Sequence, residues 1–511
     1  MNAMVAFIIV PLASAFLLGL FGRSFRGSRW VSLFTLATIV IFGVWELTQL
    51  FEPHVIVLGG WKPPFGISLY VDSTLLGFVV LVQALIFFAL WFQHENGQQR
   101  PASFDVLALV LSASAAGLIL TQDLFNLFVF LEITGVAAMA LAAPPEKSPR
   151  GVIRYWLFSS VASLAMLLGI AVLYSAAGTL NLVDLGLKWG GLDAPIRWVT
   201  GLLILLGFFV KMEVAPFHGW APGTYHAASV ASGFMLSSVV TTASALGLWR
   251  FFTLVLREGH SATPVAQNFS FAQALFGIGA LSLLFGALSM LSQKNVKKIL
   301  AFSTISFMGM VLMAIALGTP LAVKAVFFLL IANALGKGLL FWAAGRIIVD
   351  HHTVDFEQWR TLENKPFSIV IAWFLGAATV IGLPLLPGFW GKLHFWGAAI
   401  EMGRWGQVGI LILVVATAVE AVVLLRVGHH LWEKPATETT PASSCRFAPA
   451  YALGILVFAA VIVWIGLAPG WSARSFSRTQ QSFAGEGNHS VVLTTLSSFA
   501  DTAKPRIVEK R

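Results

Sequence analysis

Five ionisable residues lie where lipid-facing sequence rarely tolerates them. Glu132, Lys211, Lys337, Lys392 and Glu420 sit deep in runs of Phe, Leu, Val and Gly. A charge at the centre of a bilayer costs roughly 2.5–3.5 kcal/mol on insertion scales, so such residues must face protein or water, paired or poised to share protons. Lysine suits that work, because burial weakens its hold on a proton and a nearby carboxylate restores it. A small movement of the partner then loads or unloads the proton. The bland alternative is a static buried salt bridge. Other charges in apolar runs say less. Lys324 is within a turn and a half of a loop and can snorkel. Arg250 is a turn from the end of its run and reads as an anchor, and Glu46 is near enough to a helix end to reach water. Asp123 stands at a boundary. Glu213 is two residues from Lys211, facing away from it on an ideal helix, and ranks lower.

Two histidines, His218 and His226, flank a Pro/Gly-rich stretch just after Lys211. An unperturbed pKa near 6.5 suits a proton shuttle; the same rings could equally donate hydrogen bonds to carbonyls freed by a helix break. His429, His430, His351 and His352 read as interfacial or loop residues. No His/Asp/Glu spacing suggests a metal site, no Gly-rich loop follows a strand to cradle a nucleotide, and no nucleophile–His–Asp arrangement is visible.

The elements that position these residues are membrane spans. The 511-residue chain is 58% apolar and 11% charged, with a mean hydropathy of +0.83; soluble domains carry about 25% charged residues. Runs long enough to cross a bilayer, roughly 20 residues each, recur about fourteen times. They fall near 3–21, 30–50, 72–92, 104–121, 123–142, 152–177, 198–218, 227–253, 270–291, 298–318, 320–348, 366–402, 405–432 and 447–468. The segment 366–402 contains Gly382, Pro384, Pro387, Gly388 and Gly391, and 207–226 contains Pro216, Gly219, Pro222 and Gly223. Both read as broken helices. Irregular backbone at membrane depth is tolerated only inside protein or beside a water-filled cavity, although a packing kink would leave the same mark.

Lys and Arg in alternate loops set the orientation. Loops after odd spans hold sixteen and loops after even spans five, which places the sixteen in the cytoplasm and both termini outside, in the cell inner membrane. The net charge of +9 belongs to these loops and does not mark a nucleic-acid surface. The polar tail, 469–511, lies on the membrane surface or moves freely. The single cysteine, Cys445, excludes an intrachain disulfide and a thiolate cluster, and reads as a passive loop residue. The first apolar run lacks a basic leader and reads as a true span.

Six segments in order resemble the antiporter-like proton-translocating subunits of respiratory complex I, membrane-bound hydrogenases and Mrp-type cation/proton antiporters. They are TQDLFNLFVFLE (121–132), GTLNLVDLG (178–186), FFVKMEVAPFHGWAPGTY (208–225), NVKKILAFSTISFMG (295–309), NALGKGLLFWAAG (333–345) and GLPLLPGFWGK (382–392). The resemblance covers roughly 55–430. It implies an all-α membrane protein of about fourteen transmembrane helices with two inverted five-helix repeats, each with a broken helix. On that plan helices one to three occupy 1–103, the first repeat 104–253, the second 270–432 and the last transmembrane helix 447–468, before the tail.

The resemblance also implies roles. Glu132 matches the family's glutamate, Lys211 its partner lysine on the first broken helix, Lys337 the central relay lysine, and Lys392 the terminal Lys/Glu on the second broken helix. Two positions depart. A lysine common eight residues before the arginine aligned with Arg250 is here Thr242, and a histidine common four residues before Lys337 is here Asn333. The middle of a path would then rest on water and hydroxyls, with Thr242 or His226 in reach, or the subunit conducts less well. The absence of an acid at Gly223, the GTLN motif, and Glu420 six residues before Arg426 lean toward the Mrp D-subunit and hydrogenase-linked branches.

The function expected is a proton-translocating subunit of a hetero-oligomeric membrane complex, with other membrane subunits and the lipid bilayer as partners and H+, or H+ against Na+, as cargo. The alternative, the D-subunit of an Mrp-type antiporter, is set apart by its partners more than by its fold. A self-contained solute transporter also uses inverted repeats, but the charged sites here spread over several spans. No ligands for flavin, haem or iron–sulfur are present, so no cofactor is expected and redox chemistry falls to partner subunits.

Overall fold

Several of the polar motifs between apolar runs are helix caps. The Asp123 carboxylate accepts from the Asn126 amide at 2.7 Å, the Asn181 side chain accepts from Val183 and Asp184, and the Asn295 side chain from Lys297 and Lys298. Ser270 and Gln273 form a reciprocal capping box, and Thr319 caps a helix whose first residue is Pro320. A helix start leaves orphan N–H groups that lipid cannot satisfy, which is why Asp, Asn, Ser and Thr recur where the apolar runs begin.

The computed structural model describes residues 3–21, 27–50, 52–61, 66–95, 101–143, 150–256, 270–362, 365–433, 449–470, 475–476 and 479. Cys445 and nearly all of the polar tail lie outside them. The helices are α1 (Ala6–Phe21), α2 (Ser28–Gln49), α3 (Ser73–Glu95), α4 (Ala102–Leu120), α5 (Leu124–Ala142), α6 (Arg150–Ala177), α7 (Leu182–Trp189), α8 (Ala194–Lys211) and α9 (Ala221–Ala227). They continue with α10 (Val230–Met235), α11 (Thr241–Phe251), α12 (Phe271–Leu291), α13 (Val296–Leu317), α14 (Pro320–His351), α15 (Phe367–Ile381), α16 (Pro387–Glu401), α17 (Arg404–Trp432) and α18 (Pro449–Leu467). Among the described residues, twelve helices are long and apolar enough to cross a membrane, and α15 and α18 are shorter apolar helices. One of the twelve, 230–256, joins α10 to α11 through a π-helical turn at Leu236–Val240 and ends in a second at Phe252–Leu256. The chain is a multi-pass, mostly helical membrane protein. A short hairpin accompanies the helices: β1 (His54–Val57) pairs antiparallel with β2 (Ser68–Val71) between α2 and α3.

The loops sort into two rims. At one, Leu69 bridges Thr121 and Asp123 bridges Asn181, while the Gln122 amide donates to Ser68 and the Leu182 amide to Gln122. At the other, Asn295 bridges Asp355, the Lys297 ammonium donates to the carbonyls of His226 and Ala228, and Lys294 and Arg426 both pair with Glu357. The two cations hold the Glu357 carboxyl below its usual range, and Glu357 raises the Lys294 ammonium. Each rim thus ties together loops two spans apart, as alternating spans require.

Between the rims, α13 and α14 are the innermost helices: α14 is buried along its whole apolar window. Small residues let the central helices approach. A Cβ on Gly309 of α13 would strike the α12 backbone at Leu283, and one on Gly376 of α15 would meet the Gly336 carbonyl of α14. Such contacts replace the hydrophobic drive that lipid removes. Outer helices turn large apolar side chains outward instead, among them Val161 and Leu164 of α6 and Leu411 of α17.

Both expected breaks are present. α8 stops at Lys211, the chain turns through 212–220 with a cis Ala215–Pro216 bond, and α9 begins at Ala221. The Trp220 indole donates to the freed Val210 carbonyl at 3.2 Å, and the Ala215 amide to Ser282 at 3.0 Å. α15 stops at Ile381 before Gly382, whose φ of +86° an L side chain rarely adopts, and α16 begins at Pro387.

Candidate functional site

Two lysine–glutamate pairs occupy the interior. In the first, the Lys211 ammonium lies 3.2 Å from Glu132 Oε1 and donates to Ser159 Oγ at 2.5 Å. Ser163, one turn along α6, donates to the same glutamate oxygen at 2.5 Å. Lys211 is 1% exposed along its side chain and Glu132 26%, so the pair is closed at the lysine and open at the carboxylate. Gly135, three residues after Glu132, makes room: a Cβ there would collide with Lys211 Nζ.

In the second, Lys337 of α14 and Glu420 of α17 stand 4.0 Å apart, with side chains 0% and 4% exposed. Ser303 of α13 joins them, accepting from Lys337 and donating to Glu420. Lys392, just beyond the second break, donates to the Val380 and Ile381 carbonyls at 3.2 and 2.8 Å and to Thr417 Oγ1 at 3.1 Å. It therefore caps the C-terminus of α15, where the helix dipole favours a cation. Glu420 lies within electrostatic reach of both Lys337 and Lys392. Five of the expected residues thus fall into two groups: Glu132 with Lys211, and Lys337 with Glu420 and Lys392.

The other candidates stand differently. The His218 ring is half-buried against Phe285, 4.4 Å between centroids, and its Nδ1 has no hydrogen-bond partner among the described residues. His226 is exposed at the rim, its Nδ1 accepting from the Asn295 amide group at 2.8 Å. It lies outside the buried interval between the two pairs. Thr242 is fully buried on α11, and its hydroxyl has no partner among the described residues. Asn333 donates to the Ser237 carbonyl at 2.9 Å.

Two lesser expectations need correcting. Arg250 is no anchor at a helix end: it is wholly buried, donates to the Ile119 carbonyl at 2.8 Å and lies within electrostatic reach of Asp72 and Tyr70. The hairpin and the α3 start close over that end of the span. Glu46 is also buried, at 9% exposure.

Glu213 ranks low by sequence, and the structure gives it more weight. The helix ends at Lys211, so nothing obliges Glu213 to face away as it would on an ideal helix. Its backbone takes a φ of +61°, a left-handed conformation costing a non-glycine residue roughly 1–2 kcal/mol. The carboxyl is buried, accepts from Tyr225 at 2.8 Å through Oε1, and leaves Oε2 without a partner among the described residues. Tyr155 is stacked on Trp220 at 3.8 Å, with the Lys211 ammonium 6.0 Å from its ring centroid. The sequence reading passed over Tyr155, as it did Ser159, Ser163 and Ser303. The signal available was the break itself: an acid beside Pro216 could not be placed by helical geometry.

Chemically, a buried ammonium held against a carboxylate and hydroxyls can give up or take a proton at little structural cost. Serine, donor and acceptor at once, keeps each pair hydrogen-bonded in either state.

Comparisons with known proteins identify the family. Residues 121–419 match the family described as NADH:quinone oxidoreductase/Mrp antiporter, transmembrane. NADH-quinone oxidoreductase subunit N of Desulforudis audaxviator is 30% identical over 390 residues, covering 75% of this chain and 76% of that protein. The D-subunit of the Na(+)/H(+) antiporter of Bacillus subtilis is 29% identical over 478 residues, 92% of this chain and 94% of its own. A chain of the membrane-bound sulfane sulfur reductase, an archaeal respiratory membrane complex, superposes with a TM-score of 0.87 at 26% identity, over 96% of this chain and 100% of that one. This chain belongs to the NADH:quinone oxidoreductase/Mrp antiporter transmembrane family.

Proposed function

We propose that the chain is a proton-translocating subunit of a larger membrane complex, carrying H+ along Glu132, Lys211, Lys337, Glu420 and Lys392. One observation carries this reading: two lysine–glutamate pairs, each hydrogen-bonded to serine, lie within the spans, and Glu420 lies in reach of the next lysine. Static salt bridges would gain nothing from being strung together; replacing a buried pair by apolar residues is often neutral or stabilising. The resemblance to subunits of multisubunit complexes supports other membrane subunits as partners.

The fold plan belongs to the same proposal. Fourteen spans follow if α15 and α16 form one broken span and α18 another. Two inverted repeats, 104–253 and 270–432, each hold one break with a lysine at it, Lys211 and Lys392. Helices one to three (1–103), the last helix (447–468) and the tail complete the chain. Both termini face outward from a cell inner membrane. Thr242 and the half-buried His218 are lesser candidates along the path, and His226, at the rim, suits exchange with water.

A second reading, the D-subunit of an Mrp-type antiporter, is favoured by the match to the Bacillus subtilis protein over nearly both whole chains. Purifying the native complex decides between them: redox subunits favour the first reading, small Mrp-type subunits and Na+-dependent exchange the second. The transport reading itself is tested in vesicles holding the intact complex and a pH dye. Glu132→Gln should stop acidification while the complex assembles; parental transport in that variant would overturn it.

A further inference from the structure

Between the two pairs runs a buried interval. Tyr155 lies within electrostatic reach of both Glu132 and Glu213, and Lys337 within reach of both Glu213 and Glu420. Glu213 therefore senses the second pair while sharing a neighbour with the first. Tyr225, which donates to it, also reaches Thr304, next to the Ser303 that joins Lys337 to Glu420. Thr242 and Asn333 cannot hold a proton near neutral pH; a carboxyl can.

We propose that Glu213 is the proton-holding site that joins the two halves of the path. The assignment rests on the transport reading above and adds a residue to it. As Lys211 releases its proton, Glu213 passes from carboxylate to carboxylic acid, and Lys211 from ammonium to amine. Glu213 then returns to carboxylate as Lys337 passes from amine to ammonium. The Tyr225 hydroxyl bonds one oxygen in both states, and Oε2, unpartnered among the described residues, is the atom free to take the proton.

A merely structural role, as acceptor for Tyr225, uses one oxygen and gives no reason for a glutamate at a φ of +61°. Glycine suits that backbone better, which supplies the test. In vesicles containing the intact complex, Glu213→Gly should melt at or above the parental temperature while proton transport falls about tenfold or more, a change equal to a modest rise in barrier. Glu213→Asp should recover part of the rate. Tyr225→Phe, which keeps the carboxyl, should slow transport less than Glu213→Gly does. Difference infrared spectra taken during turnover should contain a carboxylic-acid band that disappears in Glu213→Gln. Glu132→Gln, run alongside, separates the two ideas. If it transports normally, the transport reading fails; if it is dead while Glu213→Gly transports at the parental rate, the Glu213 site alone is overturned. Equal slowing by Glu213→Gly and Tyr225→Phe, with no band lost, would also overturn it.

Discussion

The two lysine–glutamate pairs differ in how they are enclosed. At the first, α5 and α6 stand at the flank of the bundle, and Glu132 keeps 26% of its side chain exposed. At the second, α13 and α14 are the most buried helices, and Glu420 keeps 4%. The same residue types are set, in one case, where a neighbouring protein or a water defect can reach the carboxylate, and in the other where only the chain itself can. At the first pair two serines bond one partner each, whereas at the second Ser303 bridges both partners. An open pair suits exchange with the surroundings, and a sealed pair suits internal transfer.

The largest effect should come from truncating the sealed pair. Lys337→Ala strands Glu420 and opens a void, and breaking a buried pair costs about 3–5 kcal/mol. Both thermal stability of the purified complex and proton transport should fall sharply. Glu132→Gln, at the open pair, should abolish most transport with a smaller loss of stability. If the two variants lose stability equally, the difference in enclosure has no energetic meaning.

Lys392 extends the sealed side, and here charge and proton exchange can be separated. Lys392→Met removes the cap on α15 and should stop or uncouple transport. Lys392→Arg keeps the cation but cannot deprotonate near neutral pH, and should also fail in the vesicle assay. Normal transport in the arginine variant would reduce Lys392 to a fixed charge on the freed carbonyls of Val380 and Ile381.

Gly135 tests the open pair without touching a charge. A methyl at Gly135 would occupy the space of the Lys211 ammonium, so Gly135→Ala should lengthen the pair and slow transport several-fold, about a kcal/mol in barrier. An unchanged rate would show that Lys211 finds Glu132 by another rotamer.

Much of this arrangement was legible before any coordinates. Apolar runs bounded by capping residues mark the spans because lipid satisfies no backbone group, and Pro/Gly clusters mark the breaks because no helix runs through them. The depth of Glu132, Lys211, Lys337, Lys392 and Glu420 follows from those two facts. What escaped depends on where a helix stops. Glu213 ranks low by helical periodicity, yet it stands just past the last helical turn, where its left-handed backbone sets its direction. Ser159, Ser163 and Ser303 escaped because serine within a span is ordinary, and only spatial pairing gives it meaning. Arg250 escaped because the hairpin that buries it is a tertiary contact between segments far apart in the chain.

The smallest expected effect distinguishes two ways of crossing between the pairs. Thr242 is fully buried on α11 with its hydroxyl unpartnered among the described residues. Thr242→Val keeps the shape and removes the hydroxyl. An unpartnered buried hydroxyl costs roughly 1–3 kcal/mol, so the variant should be at least as stable as the parent unless water satisfies that oxygen. If Glu213 carries the proton across, transport should fall by no more than about twofold, since a hydroxyl orders water but stores no charge. A loss of stability together with a large drop in rate would instead place ordered water at Thr242. Glu213 would then be one neighbour of the path and no longer its middle.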